Sequence, residues 1–344
     1  MLHLYKSRDF TSLVAHYLEI APNVQTQLFT KQPVIVPNKL IGRWLQQQLA
    51  KADGISVNLD PVLPANYSWS LMRQAVGDLP ECSDFSSEVM QFSILKALED
   101  TAFTNDFPRL GNYLKNCRDV DRLVLADKVS RIFDHYQVYR GDWLSAWENS
   151  ELLGLGEDEA WQQALWCLLT KQSGELYRSQ LEQKLISAID NKTFTLPKTL
   201  CIFGVATLPE SFIKLVKALS EHCECYIFTF SVQEDNQIPA EVEHWHQAGT
   251  DFFSLLNSDP VNTLPQPSSA TQLQQLQNSL AGISYEANSG NDKSLLAVNC
   301  FSEMREVEAL HDYLLNQFSN NHELKSDDIL VAIPDLDKYA PFIR

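Results

Sequence analysis

The stretch LHLYKSRDFTSLVAHYLE, residues 2–19, indicates the fold class of this 344-residue chain. It predicts a short strand, a tight turn and an amphipathic helix that begins at Phe10. The same order repeats at once, because PVIVPN at 33–38 predicts a second strand and a second helix starts at about Leu40. That helix has one apolar face, as packing on a sheet requires, formed by Ile41, Trp44, Leu45 and Leu49. Two strand–helix units in series predict an α/β fold with a parallel sheet.

The composition narrows the class of protein. Hydrophobic residues make up 44% of the chain, which suffices for sizeable cores, and no apolar run approaches the about 20 residues of a membrane span. Lys6, Arg8 and Asp9 argue against a signal peptide, and seven scattered cysteines suit a reducing cytoplasm. The net charge of −17 argues against a simple non-specific nucleic-acid binder but leaves a local basic groove open.

A helical block interrupts the strand–helix pattern between 67 and 196. Four helical patterns follow one another there: Ser86–Glu99, Asp119–Tyr139, Glu157–Gln172 and Ser179–Ile189. The longest has an apolar face formed by Leu125, Val129, Ile132, Phe133 and Tyr136. Most of the tryptophans also lie in this block: Trp69, Trp143, Trp147, Trp161 and Trp166. We therefore expect a helical domain with a core of its own, inserted into the α/β domain.

The α/β pattern resumes after the block. TLCIFGV at 199–205 and CECYIFTF at 223–230 predict buried strands, with a helix at 209–219 between them. A connecting region at 232–293 is rich in Asn, Gln, Ser and Pro, with helices expected near Glu241–Leu256 and Thr271–Leu280.

A further α/β unit is expected in the last part of the sequence. It comprises a strand at 294–301, a helix at 303–318 and a strand at 327–335. One such unit cannot bury both faces of a sheet, so we expect this chain to be the front part of a longer polypeptide.

Nucleotide chemistry is missing from the strands that would normally carry it. A phosphate loop needs a glycine-rich nest of backbone amides, whereas the turn here is KSRD at 6–9. An ordinary turn, with Ser7 or Asp9 capping the helix, is favoured. The strand at 199–205 ends in Phe-Gly-Val where an acidic residue would hold Mg²⁺. The sequence therefore predicts no working ATP site.

Other polar groupings have ordinary structural explanations. Asp335 and Asp337 follow a predicted strand and could bind a metal, but a turn at a strand end is the commoner reading. The histidines of HWH at 244–246 point apart on a helix and suit surface and packing positions. EHCECYIF at 221–228 offers histidine and cysteine without a second ligand group, so a helix end that leads into a buried strand is favoured. No catalytic or metal site is predicted.

Nucleic-acid binding has better candidates. VPNKLIGRW at 36–44 places Lys39 and Arg43 one helical turn apart beside helix N-terminal amides, which suits a phosphate. On the longest predicted helix, one ridge opposite the apolar face is formed by Lys128, Arg131 and His135, and Arg140 ends the helix. Solvated helix faces show the same pattern, so spacing alone leaves both readings open.

Four long stretches resemble one family. They are LDPVLPANYSW at 59–69, FDHYQVYRGDWLSAWE at 133–148, FSEMREVEALHDYLL at 301–315 and DDILVAIPDLDKYAPFI at 327–343. They are similar to the gamma subunits of exodeoxyribonuclease V, the RecC components of the RecBCD helicase–nuclease. The matching stretches lie in order over most of the chain, whereas 232–293 fits poorly and looks shortened.

The resemblance implies an inactivated superfamily 1 helicase-like fold. It divides the chain into a RecA-like 1A domain without Walker motifs at 1–66 plus 197–231, an inserted 1B-like helical domain at 67–196, the connecting region at 232–293, and a truncated 2A-like domain at 294–344. It also implies a heterotrimer with RecB-like and RecD-like subunits that use ATP and Mg²⁺, while this chain itself takes no cofactor.

The resemblance further implies a role in double-strand break repair by homologous recombination. The subunit would line a channel for the 3′-ended single strand of DNA and recognise a Chi-like hotspot sequence. It would contribute to exonuclease and helicase activity only within the complex. The alternatives are a scaffold between motor subunits and, less favoured, an active ATP-dependent helicase.

Position by position, the resemblance implies a DNA groove lined by Pro37, Lys39, Arg43, Leu63, Trp69, Arg131, Ile132, Asp134, His135, Arg140 and Arg178. Five of them keep the residue types of the family: Leu63, Trp69, Asp134, Arg140 and Arg178. In four others this chain replaces neutral or acidic polar groups: Pro37, Lys39, Arg43 and Arg131. Cations hold a strand while paired polar groups read bases, so retained strand binding and an altered hotspot are expected. Trp69 is the stacking candidate, with a core position as the alternative.

Overall fold

The computed structural model describes residues 1–24, 31–77, 79–80, 82–231, 243–256, 261–263, 271–281 and 292–343. The strands are β1 (Leu2–Ser7), β2 (Gln32–Ile35), β3 (Leu59–Val62), β4 (Thr199–Val205), β5 (Glu224–Phe230) and β6 (Val261–Thr263). The helices are α1 (Phe10–Val24), α2 (Lys39–Asp53), α3 (Pro64–Val76), α4 (Ser87–Glu99), α5 (Thr101–Asn105), α6 (Pro108–Leu114), α7 (Asp119–Tyr139), α8 (Gly141–Glu148), α9 (Glu159–Ser173), α10 (Arg178–Asp190), α11 (Glu210–Ser220), α12 (Glu243–Leu256), α13 (Gln272–Leu280), α14 (Glu303–Asn320) and α15 (Leu336–Tyr339). Much of the connecting region predicted at 232–293 lies outside the described residues.

The predicted α/β class is confirmed by a parallel sheet. Its strands run in the order β3-β2-β4-β5-β1-β6, and every neighbouring pair is parallel. β4 and β5 lie in the middle, with Ile202 opposite Ile227, and both side chains are fully buried. β3 was not predicted, because it contains Pro61, which lacks an amide donor. A proline is tolerated there because β3 is an edge strand.

Helices cover the sheet on both faces. On one face α1 and α2 pack against Val34, Phe203 and Phe228. On the other, α3, α10, α11 and α12 pack against Ile35 and Ile202. A parallel sheet is buried on both sides, so its strands read as continuous apolar runs such as TLCIFGV.

The central strand β4 contains a backbone irregularity at Gly204. Its φ of +74° lies in the left-handed region, and the β4–β5 register shifts between Phe203 and Val205. A Cβ on Gly204 would lie 3.0 Å from Cε1 of Phe10 and 3.3 Å from Cγ2 of Ile41. Glycine is required both by the backbone and by these two neighbours.

A second core lies among the helices, as predicted for the inserted block. It is built from residues between Phe85 and Tyr177, and Trp147 and Trp166 are almost completely buried within it. The outer parts of the predicted block behave differently, because Met72 of α3 and Leu185 of α10 belong to the core of the sheet. The chain thus leaves and re-enters the α/β part through helices that pack on the sheet itself.

Residues 269–279 and 284–344 form a compact unit of their own, described here for 271–279 and 292–343. The helix predicted at 303–318 is confirmed by α14, whose N-terminus is capped by the Ser302 hydroxyl accepting from Arg305 N at 3.3 Å. The strands predicted at 294–301 and 327–335 are not formed. A strand needs a hydrogen-bonded neighbour, and within the described residues neither segment has one.

No helix in the described part of the chain is both long and apolar enough to cross a membrane.

Replacing Gly204 by alanine should reduce the free energy of unfolding by about 2–3 kcal/mol, since a left-handed backbone and two close neighbours both oppose a Cβ. The matched control is Gly174→Ala at the end of α9, where φ is +68° and nothing lies within 4 Å of the added Cβ. The control should cost only about 1 kcal/mol. Urea unfolding of both variants measures the difference, and equal losses would show that Phe10 and Ile41 do not restrict this position.

Candidate nucleic-acid interface

The turn after β1, where a nucleotide phosphate would bind in an active motor, is closed by the protein's own groups. The Asp9 carboxylate accepts from the amides of Thr11 (3.0 Å) and Ser12 (2.9 Å) and from the Ser12 hydroxyl (2.8 Å). Burial by itself would raise the pKa of Asp9, but these hydrogen bonds hold it below its ordinary value. A carboxylate thus takes the α1 amides that a phosphate would use, and it would repel a phosphate.

The other residues of this turn are also engaged. The Ser7 hydroxyl is buried and accepts from the amide of Asp9 at 3.0 Å. The Lys6 ammonium lies 5.4 Å from the centre of the Phe253 ring on α12. Gly204, with no room for a side chain, stands at the end of β4 where a magnesium-binding acid is expected. The residues present therefore do not fit ATP and Mg²⁺.

The turn after β2 is open instead. The Asn38 side chain caps α2 by accepting from Ile41 N at 2.9 Å, and Pro37, Lys39 and Arg43 are exposed. Among the residues that the structure describes, neither Lys39 nor Arg43 has an acidic group within 4.0 Å. Exposed cations beside a helix N-terminus create a local positive potential that favours anions.

The turn after β3 lies next to this surface. β2 and β3 are neighbours, and Val36 N donates to Val62 O at 3.0 Å, so Pro37 and Leu63 leave the sheet at the same edge. β4 is the next strand, and α11 starts from that edge at Glu210. Adjacent strands lie about 5 Å apart, so these three chain exits span about 10 Å. We call the surface formed by Pro37, Lys39, Arg43 and Leu63 the sheet-edge patch.

Trp69 does not stand free. It is half-buried on α3, packed against the sheet core with Leu71 and Met72 close by in the chain. Part of the side chain remains accessible to solvent, but the contacts that the ring makes are packing contacts with the sheet core.

The outward ridge predicted on α7 is exposed. Lys128, Arg131 and His135 are all accessible, and Arg131 pairs with Asp127 one turn earlier at 3.1 Å. Ile132 was assigned to the apolar face of this helix, and that was wrong, because its side chain is 43% exposed. At about 100° per residue, Ile132 lies well to one side of the fully buried Phe133. It stands instead beside the cationic ridge, where the family resemblance places it.

Arg140, at the end of α7, lies close enough to the start of α11 for its charge to act there. It donates to Tyr139 O at 2.8 Å, and its guanidinium lies 5.3 Å from the centre of the Trp143 ring. The pKa of Glu210, at the start of α11, is lowered mainly by its hydrogen bond to Lys214 and further by the charge of Arg140. The end of α7 and the sheet edge from which α11 starts are therefore electrostatic neighbours.

Asp134 and Arg178 come together across α7 and α10. Arg178 is ion-paired with Glu182 at 3.0 Å, and both side chains are largely buried. Burial raises the pKa of Asp134, against the opposite effect of the charges of Arg178 and His135. This cluster sets one guanidinium against two carboxylates and so has no excess positive charge, unlike the sheet-edge patch.

Gln137 holds that cluster in place and was not singled out from the sequence. It is almost fully buried, accepts from Arg178 N at 3.2 Å and donates to Phe85 O at 3.0 Å. Its backbone carbonyl also accepts from the Ser179 hydroxyl at 3.1 Å. A glutamine within the buried stripe of a helix, four residues after Phe133, is the signal that could have revealed it.

Among the described residues, three side chains that could bind a metal ion lie close together at one place. Ligand atoms of Asp190, Glu221 and His222 lie within 4.8 Å of one another, both carboxylates are exposed, and Nε2 of His222 is buried without a hydrogen-bond partner. Cys223 and Cys225 do not join them and lie buried at the start of β5, as predicted. Asp335 caps α15 by accepting from Lys338 N at 3.3 Å, which agrees with the turn interpretation.

Comparison with known proteins identifies the family. The family model described as the N-terminal domain of RecC matches residues 2–238. This chain belongs to the RecC family. The family resemblance seen in the sequence is thereby confirmed.

RecC relatives in several bacteria cover most of the chain. The RecBCD enzyme subunit RecC of Escherichia coli K12 is 28% identical over 92% of this chain and 35% of its own length. The subunit of Haemophilus influenzae is 24% identical over 92% and 36%, and that of Mycolicibacterium smegmatis is 23% identical over 99% and 34%. The chain thus spans about a third of the length of these RecC proteins.

In this RecC-family chain, Asp134 should make stability depend on pH. Its folded-state pKa is raised, so the favourable contribution of its protonated form is complete below the ordinary value of about 4 and is lost as pH rises through the folded pKa. Asp134→Asn removes this titration, so its stability relative to the wild type should increase with pH in that window. Urea unfolding between pH 4 and 7 measures this, with Asp106→Asn at an exposed site as control. A constant difference would contradict the role given to burial.

Proposed function

We propose that this chain is a non-catalytic subunit of a RecBCD-type helicase–nuclease and contributes a surface for single-stranded DNA. The observation that carries the proposal is the sheet-edge patch, where Lys39 and Arg43 are exposed beside the N-terminus of α2 without acidic partners among the described residues. The names of the relatives support the setting, because each is a subunit of the RecBCD enzyme.

The mechanism follows from the contrast between the patch and the rest of the molecule. The chain carries a net charge of −17, so most of its surface repels DNA. A strand would be held at Lys39 and Arg43, and Arg140 with Trp143 would extend the contact along α7. Arg131 and His135 line the next turns, so the bound strand would follow α7 away from the sheet edge. Binding by the isolated chain should be weak, and the complex supplies the remaining surface.

The partners and chemistry follow from the same proposal. RecB-like and RecD-like subunits would form a heterotrimer with this chain and supply ATP- and Mg²⁺-dependent unwinding and cleavage. The fold would be that of a superfamily 1 helicase domain whose nucleotide site has been lost. The Asp9 cap and the crowded Gly204 support this inference over an active ATPase.

Neutralising the sheet-edge patch should weaken DNA binding by the assembled complex. Lys39→Ala with Arg43→Ala should lower the affinity for a single strand severalfold and reduce the slope of log K against log salt by about 1.4, since each phosphate contact contributes about 0.7. Lys198→Ala with Lys217→Ala is the matched control, because both lysines are exposed but lie near the opposite edge of the sheet. Fluorescence anisotropy over a salt series measures both quantities.

Equal behaviour of the two double variants would exclude the patch as a DNA surface. The scaffold alternative would then be favoured, in which the chain joins other subunits without touching the strand.

We further propose that the Asp134 cluster takes part in recognising a Chi-like hotspot. A carboxylate can accept from a base amino group but repels phosphates, so Asp134→Ala should reduce recognition more than strand affinity. Because Pro37, Lys39, Arg43 and Arg131 differ from the family pattern, the hotspot should differ from the Chi sequence of the well-known family member. Mapping where the assembled enzyme changes its cutting tests this, and an unchanged sequence would refute it.

A further inference from the structure

The loop between α8 and α9 presents an unusual apolar surface. Residues 150–158, here named the leucine loop, contain Leu152, Leu153 and Leu155, whose side chains are 57%, 44% and 44% exposed. Single exposed leucines are common and need no explanation. Three exposed leucines within four positions, on a loop whose backbone is fixed by hydrogen bonds, form an apolar patch that needs an explanation.

A buried carboxylate holds that backbone. Glu159 is only 5% exposed, and its oxygens accept from the Trp147 indole (3.0 Å) and from the amides of Leu153 (2.6 Å) and Leu155 (2.7 Å). Burial by itself would raise the pKa of Glu159, but these hydrogen bonds hold it below its ordinary value. A buried carboxylate is unfavourable unless it is fully hydrogen-bonded, and here two of its bonds fix the leucine amides.

Both ends of the leucine loop are anchored as well. At the α8 end, Glu151 N donates to Ala146 O at 2.9 Å. At the α9 end, Arg109 of α6 is paired with Glu157 and, at 3.2 Å, with Asp158. Gly154, at a φ of +76°, permits the turn between the leucines. A loop that is already ordered loses little conformational entropy when it binds, which favours association.

The charges around the leucine loop define what it can bind. The loop's own acidic side chains flank the leucines, namely Glu151, Glu157 and Asp158, and Arg109 is paired with the last two, so the loop keeps an acidic excess. This rim repels nucleic acid and favours a protein surface with lysine or arginine around an apolar centre.

We propose that the leucine loop is a docking site for another protein subunit of the complex, through a segment whose apolar side chains are flanked by basic residues. This rests on the proposed function in one respect, since it takes the chain to be part of a multi-subunit enzyme. The leucines supply the apolar centre of the interface, the acidic rim fixes the register of the basic flanks, and Glu159 keeps the leucines in a binding-ready geometry.

The first test is photo-crosslinking in the assembled complex with its native partner subunits. Benzoylphenylalanine replaces Leu153, and the control carries it at Val57, which is 69% exposed in the loop after α2. We expect the Leu153 position to crosslink to a partner-subunit peptide that contains lysine or arginine beside apolar residues, and the Val57 position not to. No protein adduct at Leu153, or an adduct to DNA or to a second copy of this chain, would overturn the proposal.

The second test measures assembly. Leu152→Ser, Leu153→Ser and Leu155→Ser combined should raise the dissociation constant for the partner subunit at least tenfold, with the thermal unfolding midpoint of the variant unchanged because the side chains are exposed. Ile55→Ser with Val57→Ser, at two other exposed apolar positions, is the matched control and should assemble normally. Unchanged assembly of the triple variant would contradict docking at this loop.

The two proposals fail in different ways. If the complex forms and binds DNA through Lys39 and Arg43 but the leucine loop gives no adduct, only the docking proposal is lost. If the adduct forms while the Lys39 and Arg43 variants bind DNA normally, the DNA surface is lost and docking stands. A chain that assembles with no other subunit refutes both.

Discussion

The structure depends on a parallel sheet that has to be covered on both faces. β4 and β5 bury Ile202 and Ile227 toward one layer of helices and Phe203 and Phe228 toward the other. In a parallel sheet, each connection must also run from the carboxyl end of one strand back to the amino end of the next, usually through a helix. The connection between β3 and β4 contains the second core, and the chain returns to the sheet through α10, which packs on the same face as α11. The turns after β1, β2 and β3 thereby lie together at the carboxyl ends of the strands.

The turns at the carboxyl ends of the strands differ in what they leave available to an anion. After β1, the amides of α1 are taken by Asp9 and the lysine lies against Phe253. After β2, Asn38 caps the helix with a neutral group, so the adjacent cations remain available to an anion. The two turns have the same architecture, and the charge of the capping side chain decides which of them suits a phosphate.

In the helical block, buried polar side chains hold neighbouring helices and loops in place. Gln137 ties α7 to the start of α10 and so sets Arg178 against Glu182 and Asp134. Glu159 ties the end of α8 to the loop before α9. Both residues lie inside or at the border of an apolar core, where an unpaired polar group would be costly and a fully hydrogen-bonded one gives a single geometry. The acidic leucine loop and the basic sheet-edge patch thus give one chain two exposed surfaces of opposite charge.

The sequence by itself determined the α/β class, the strands β4 and β5, the long helix α7 and the family. Apolar periodicity and distinctive stretches of sequence are local properties, so they can be read without the structure. It also identified the missing nucleotide chemistry, since KSRD and IFGV lack the required residue types. It was wrong about the strands at 294–301 and 327–335 and about Ile132, because pairing and burial depend on neighbours that are distant in the chain. The sequence left Ser7 and Asp9 as alternative caps of α1, and the structure assigns the cap to Asp9. Only the tertiary structure decided that Gln137 and Glu159 are buried positioning residues and that Pro37 and Leu63 leave the sheet side by side. Each of these depends on which atoms meet in space, and hydrogen bonds between residues far apart in the chain, such as that from Gln137 to Phe85, leave no spacing in the sequence to read.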